Sequence, residues 1–162
     1  MEIKIRHGEM KDLDRIMEIY AIARRFMAEH DNPNQWKNNR PPRETVERDI
    51  RMHNNYVLEG DGQVEAVFFF STEKDPTYAY IEGKWKTEGE AYGVIHRIAS
   101  SGKIKGVLER AVEFSLKFTD RLRMDTHKDN YVMQNALKKC GFEHCGTIYL
   151  ENGEPREAYE RA

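Results

Sequence analysis

The stretch HRIASSGKIKGVL, residues 96–108, gathers the groups in this chain best placed to do chemistry. Its opening residues read as a strand ending at Ala99, and a short polar turn then leads into a helix predicted over Ile104 to Phe118. The first N–H groups of a helix have no partner inside it, and the helix dipole adds positive potential there. Ser100, Ser101 and Gly102 are small enough to let a ligand approach the backbone, and Lys103 and Lys105 add charge. Together they make an anion site suited to a pyrophosphate. The same residues also suit a plain strand-to-helix connection, because serine and glycine are common turn formers. His96 has an imidazole whose ordinary pKa suits proton transfer near neutrality, and it also fits as a packed strand residue.

A second stretch, residues 121–149, reads as strand, helix and strand. Asn130 falls at the start of its helix, where the side chain could cap the first turn or reach a ligand. Met133, Ala136, Leu137 and Cys140 form an apolar stripe of core type. Gly141 sits where a left-handed glycine ends a helix, and Phe142 is expected to pack back on Leu137 in a Schellman motif.

These segments must be held by the rest of the chain. Residues 2–6 alternate as a first strand, with Ile3 and Ile5 on one face. Leu13, Ile16, Met17, Tyr20, Ala23 and Met27 recur at helical spacing, and Asp31-Asn32-Pro33 should end that helix. Residues 31–42 read as a loop carrying Trp36, and Arg43 to Met52 read as a second helix. Tyr56 to Leu58 and Val64 to Ser71 flank Gly60-Asp61-Gly62, a hairpin signal. Phe68, Phe69 and Phe70 make the later strand apolar on both faces, as in a central strand. Residues 74–90 are polar but hold Tyr78, Tyr80 and Trp85. Tyr92 to Ala99 and Leu122 to Thr126 read as the fourth and fifth strands. Asp129 to Cys140 read as the last helix, and Phe142 to Leu150 and Arg156 to Tyr159 as closing strands. The order is that of an α/β domain with a mixed sheet.

The two stretches resemble the GNAT N-acetyltransferase superfamily. Its phosphate motif, Gln/Arg-x-x-Gly-x-Gly/Ala after the fourth strand, is matched best by Lys103 to Leu108, with Gly106 at the first glycine. Its next motif, Thr-x-x-x-Asn followed by a helix and Gly-Phe, is matched by Thr126, Asn130, Gly141 and Phe142. The order of elements agrees over nearly the whole chain. The resemblance implies one acyl-CoA-binding domain over residues 1–162. It implies a mixed, mostly antiparallel central sheet with about four helices and with strands four and five splayed apart. It implies transfer of an acetyl group from acetyl-CoA to an amine by direct attack. On the same resemblance, Ile98 and Ala99 meet the pantetheine arm, and Ser100, Lys103, Ile104, Lys105, Gly106 and Val107 line the pyrophosphate. Asn130 contacts the arm from the other side. A backbone N–H near the fourth strand stabilises the oxyanion. His96, Glu82 and Tyr92 are the candidate bases, and Trp36, Tyr80 and Trp85 are candidate walls of the acceptor pocket or covers of the core. Leu137 stands where the family often carries a tyrosine that protonates the leaving thiolate. An acyl-CoA-binding or regulatory module of the same fold, with weak catalysis, is the alternative.

Bulk properties agree. Twenty-six basic and 28 acidic side chains give a formal charge of −2, which does not suit a dedicated nucleic-acid binder. The partner expected is a small-molecule or peptide amine, with no nucleic acid and no membrane; a homodimer is left open. Cys140 and Cys145 flank no set of four zinc ligands, so free thiols and no metal are expected. No signal-type leader or membrane-length apolar run is present, which makes the cytoplasm the expected compartment. Arg6-His7-Gly8-Glu9 after the first strand lacks the glycine-rich turn of other nucleotide-binding α/β proteins. A protein-interaction domain without a small ligand is the remaining alternative.

Overall fold

Apolar spacing and turn chemistry set most of the elements. In the computed structural model, which describes residues 1–36 and 40–162, the strands are β1 (Ile3–His7), β2 (Asn55–Gly60), β3 (Gln63–Ser71), β4 (Glu82–Gly83), β5 (Gly93–Ser100), β6 (Leu122–Thr126), β7 (Glu143–Tyr149) and β8 (Pro155–Arg161). The helices are α1 (Leu13–Glu29), α2 (Arg43–Arg51), α3 (Val107–Ser115) and α4 (Tyr131–Lys139). No helix among the described residues is long and apolar enough to cross a membrane.

The chain divides into two compact units. The first comprises Met1–Phe70 and His96–Val107. Its strand order is β1-β2-β3-β5, with β1·β2 and β2·β3 antiparallel. Asp61 and Gly62 both take positive φ (52° and 78°), the geometry of the tight hairpin turn that Asp-Gly favours. Leu13, Ile16, Ile19, Tyr20 and Ala23 of α1 pack with Val46, Ile50, Val57, Val64, Val67 and Ala99. Phe68 and Phe70 are buried and Phe69 half-buried, so β3 is covered on both faces as its run of phenylalanines predicts.

The second unit comprises Ser71–Ile95 and Leu108–Ala162, with strand order β5-β6-β8-β7-β4. Pairs β6·β8, β7·β8 and β4·β7 are antiparallel, and β5·β6 is parallel. The mixed, mostly antiparallel sheet and the four α-helices among the described residues are those expected. The fourth and fifth predicted strands are β5 and β6, and their parallel register is confined to Gly93↔Leu122 and Val94↔Arg123. The core of this unit is Tyr78, Trp85, Tyr92, Val94, Ile148 and Ala158.

Two expectations need correction. The third helix begins at Val107 and not at Ile104, because Gly102 (φ +94°) and Gly106 (φ +68°) leave the right-handed region. It also ends at Ser115, with residues 116–118 continuing only as turns. Residues 74–90 contain a 3₁₀ turn over Pro76–Tyr78 and the strand β4, which a polar segment without alternation does not announce. β4 meets β7 at Gly83 and Gly146, where a Cβ on Gly83 would lie 2.3 Å from the Cys145 carbonyl oxygen. Only glycines permit that approach.

The end of α4 follows the expected pattern. Phe142 N–H donates to Leu137 C=O (3.0 Å) and Gly141 N–H to Lys138 C=O (3.1 Å), with Gly141 at φ +87°. These are the two bonds of a Schellman motif.

Candidate functional site

The connection from β5 to α3 lies mostly within the first unit. Ser100 ends β5, and its Oγ accepts the Gly102 N–H at 3.0 Å, a local serine turn that starts the loop. Ile104 is buried and anchors it, while Gly102, Lys103, Lys105 and Gly106 face solvent. A side chain at Gly102 would meet nothing within 4 Å, so the space beside its backbone is open. Leu108, the large residue in the phosphate-type motif, is buried and does not obstruct that face. The result is an exposed run of small and basic residues directly before the N-terminus of a nine-residue helix, which is the construction that attracts a diphosphate.

Sequence reasoning missed what moors this loop. Glu65 of β3, nearly fully buried, accepts the Ser101 hydroxyl at 2.9 Å through Oε1, and its carbonyl accepts the Ser101 N–H at 2.9 Å. Arg15 of α1 donates to the same carboxylate (2.6 Å) and to the Val64 carbonyl (2.9 Å), so the buried acid is paired. Lys103 Nζ reaches within 4.0 Å of Glu65 while staying exposed. The only advance signal was an acid inside an apolar strand run, a placement that calls for a cationic partner.

Inside β5 the backbone is distorted. Arg97 has φ +48°, a left-handed conformation uncommon for a side-chain-bearing residue. Its Nε and Nη2 donate to the two carboxylate oxygens of Asp49, each at 2.8 Å. Its guanidinium lies 4.7 Å from the Phe69 ring centre, and its carbonyl accepts the Tyr20 hydroxyl at 2.7 Å. Burial pushes the Tyr20 phenol above its ordinary pKa, which keeps it a proton donor. His96, the adjacent residue, is half-buried with its ring 5.7 Å from Phe69. Trp36 is half-buried against Tyr20, at 5.4 Å between ring centres in a T-shaped contact. Ile98 is half-buried and Ala99 buried in the strand beyond Arg97.

In the second unit Asn130 is buried at the N-cap of α4, and its Oδ1 accepts the Met133 N–H at 3.0 Å. Asn130→Ala should therefore lower stability by about 1 kcal/mol, the ordinary cost of losing a cap; a thermal melt reads this directly. Leu137 is fully buried, so the position of the family's tyrosine is occupied by core packing.

The remaining candidates of this unit fall into two groups. Glu82 and Tyr80 meet at Tyr149, whose hydroxyl donates to the Glu82 carboxylate and whose ring stacks on Tyr80 at 6.5 Å. Tyr80 and Glu82 are exposed. Tyr92 and Trp85 meet instead at Arg123, whose guanidinium carbon lies 4.1 Å from each ring centre. Both rings are buried; Trp85 Nε1 donates to the Tyr78 carbonyl (3.1 Å) and the Tyr92 hydroxyl accepts the Asp75 N–H (3.1 Å). Aromatic composition alone does not separate a ring packed on a buried guanidinium from one open to solvent. Cys140 and Cys145 are free thiols raised in pKa, chiefly by burial. Among the described residues no cluster of three acidic, histidine or cysteine side chains could hold a metal ion.

No protein-family model matches the chain, and no curated protein matches it. Solved structures do. A GNAT-family acetyltransferase from Streptococcus agalactiae is 27% identical, over 98% of this chain and 94% of that one, with a TM-score of 0.87. A GNAT-family acetyltransferase from Listeria monocytogenes is 17% identical, over 99% and 95%, with a TM-score of 0.72. The aminoglycoside acetyltransferase AAC(6')-Ib, solved with coenzyme A and kanamycin, is 16% identical over 99% and 95%, with a TM-score of 0.66. The latter two share the fold. With the strand order, the glycine-bearing loop before α3 and the Asn130 to Phe142 motif in place, the chain has the fold of the GNAT acetyltransferases and is similar to that superfamily.

Proposed function

We propose that the chain is an acetyl-CoA-dependent N-acetyltransferase acting on a small amine. The observation that carries this reading is the loop from Ser100 to Gly106, with open backbone at Gly102 and exposed Lys103 and Lys105 at the start of α3. The amides from Gly102 to Val107 and the two lysines hold the diphosphate, and Glu65 fixes the loop that presents them. Ile98 and Ala99 offer backbone groups to the pantetheine arm. Acetyl-CoA supplies the activated acyl group as a thioester. The acceptor amine has an ordinary pKa near ~10 and must lose its proton before it attacks. His96 is the base on this reading. Trp36, packed on Tyr20 in the same unit as His96, helps to bound the acceptor. The complex of AAC(6')-Ib with coenzyme A and kanamycin supports a small-molecule amine as the acceptor class.

Calorimetric titration with acetyl-CoA, followed by thiol release across a panel of polyamines, amino acids and aminoglycosides, tests the proposal. Binding with amine-dependent release supports it; absence of binding overturns it. His96→Ala should lower kcat about 100-fold or more, the typical worth of a general base, while the acetyl-CoA dissociation constant stays within threefold. Unchanged turnover removes His96 from the reaction.

Burial of Leu137 favours a second reading, an acyl-CoA-binding or regulatory module without efficient turnover. Tight binding without thiol release for any amine would select it.

A further inference from the structure

We infer that Tyr20 and Asp49 are positioning residues for acetyl transfer, holding Arg97 in its left-handed turn so that the Ile98 N–H points away from the core toward the acyl group. This rests on the proposed acetyltransferase activity.

Residue 97 is not glycine, so the left-handed conformation is disfavoured and persists only where surrounding contacts impose it. Two contacts hold it from opposite ends of the residue. Asp49, on α2 and almost fully buried, takes both guanidinium donors in a two-pronged pair, the geometry that best fixes an arginine. Tyr20, on α1 and fully buried, donates its hydroxyl to the Arg97 carbonyl. A trans peptide is planar, and its C=O and N–H point in opposite directions. With the Arg97 oxygen fixed on Tyr20, the Ile98 N–H of the same peptide must face the other way. A backbone donor fixed in advance stabilises developing negative charge on an acyl oxygen without reorganising during reaction. The clamp thus converts two buried side chains into the orientation of one amide.

The test compares variants of the full chain by kcat, acetyl-CoA dissociation constant and thermal midpoint, using acetyl-CoA and an amine that the wild type acetylates. Tyr20→Phe and Asp49→Asn should each lower kcat by about 10-fold to 100-fold, short of losing an oxyanion donor outright, with acetyl-CoA affinity within threefold. Glycine takes the left-handed turn without a clamp. Adding Arg97→Gly to Asp49→Asn should therefore recover at least half of the lost kcat, whereas adding Arg97→Ala should not. Glycine lowers the thermal midpoint at least as much as alanine if only packing matters, so recovery confined to glycine identifies the backbone turn as the cause. Full kcat in both single variants, or equal recovery by glycine and alanine, overturns the inference while leaving the proposed activity intact. If Asp49→Asn alone does not fold, the Tyr20→Phe result decides. If the wild type binds acetyl-CoA but acetylates no amine, the proposed activity fails first and this inference with it.

Discussion

Replacing Gly106 with valine should weaken acetyl-CoA binding by more than about tenfold. The residue sits at φ +68° immediately before α3. A left-handed turn costs a side-chain-bearing residue roughly 1–2 kcal/mol, and a β-branched one tolerates it worst. The chain would relax toward ordinary geometry and swing the first amides of α3 away from the proposed diphosphate site. Each 1.4 kcal/mol is a factor of about ten in affinity. Gly62 supplies the control. It too has positive φ (78°), in the β2–β3 hairpin, and a side chain there would meet nothing within 4 Å. Gly62→Val should show a similar loss of stability with acetyl-CoA affinity unchanged. Equal affinity in Gly106→Val and wild type, measured by calorimetry, would refute the placement of the diphosphate at this loop.

The second large effect is on stability. Arg123→Ala should destabilise the protein by about 3–5 kcal/mol, the usual result of stranding one member of a buried ion pair. Its guanidinium donates to Glu160 Oε2 and to the Thr87 carbonyl, both at 2.8 Å, while its carbon lies over Trp85 and Tyr92. Glu160 is fully buried, and its other oxygen accepts the Thr87 N–H at 3.0 Å. Removing Arg123 leaves that carboxylate desolvated and opens a gap between the two rings. A drop of about 2–4 °C per kcal/mol is typical at this chain length, so the melt should fall by roughly 6–20 °C. Arg123→Met with Glu160→Met should recover much of the loss, because it removes both charges while filling the space. A fall of under ~2 °C in Arg123→Ala, measured by differential scanning calorimetry, would show that the pair is not what holds this unit.

Much of this architecture was legible in the residues themselves. Asp-Gly between apolar runs gave the β2–β3 hairpin, helical spacing gave α1 and α2, and Gly141-Phe142 gave the end of α4, since each depends on contacts a few residues apart. The start of α3 was misplaced by three residues because glycine is silent about its φ until the fold sets it. β4 went unseen for a related reason. Two residues cannot show a period, and what fixes them is the absence of a side chain on Gly146, over sixty residues away. The candidate site divides in the same way. Lys103, Gly106 and Asn130 are marked by local sequence, whereas Glu65, Asp49 and Tyr20 act through partners from 36 to 77 positions distant. Long-range pairing of that sort leaves no mark beyond an acid or a phenol where an apolar residue was expected. Trp85 and Tyr80 carried the same promise on paper, and only packing separated a buried ring under Arg123 from an exposed one beside Tyr149.

The chain has two tryptophans, and each lies in a different unit: Trp36 against Tyr20, Trp85 beneath Arg123. Each unit therefore carries its own fluorophore, with a distinct neighbour beside it. Trp36→Phe and Trp85→Phe would yield two single-emitter proteins, and their denaturant titrations would show whether the halves melt together or in sequence.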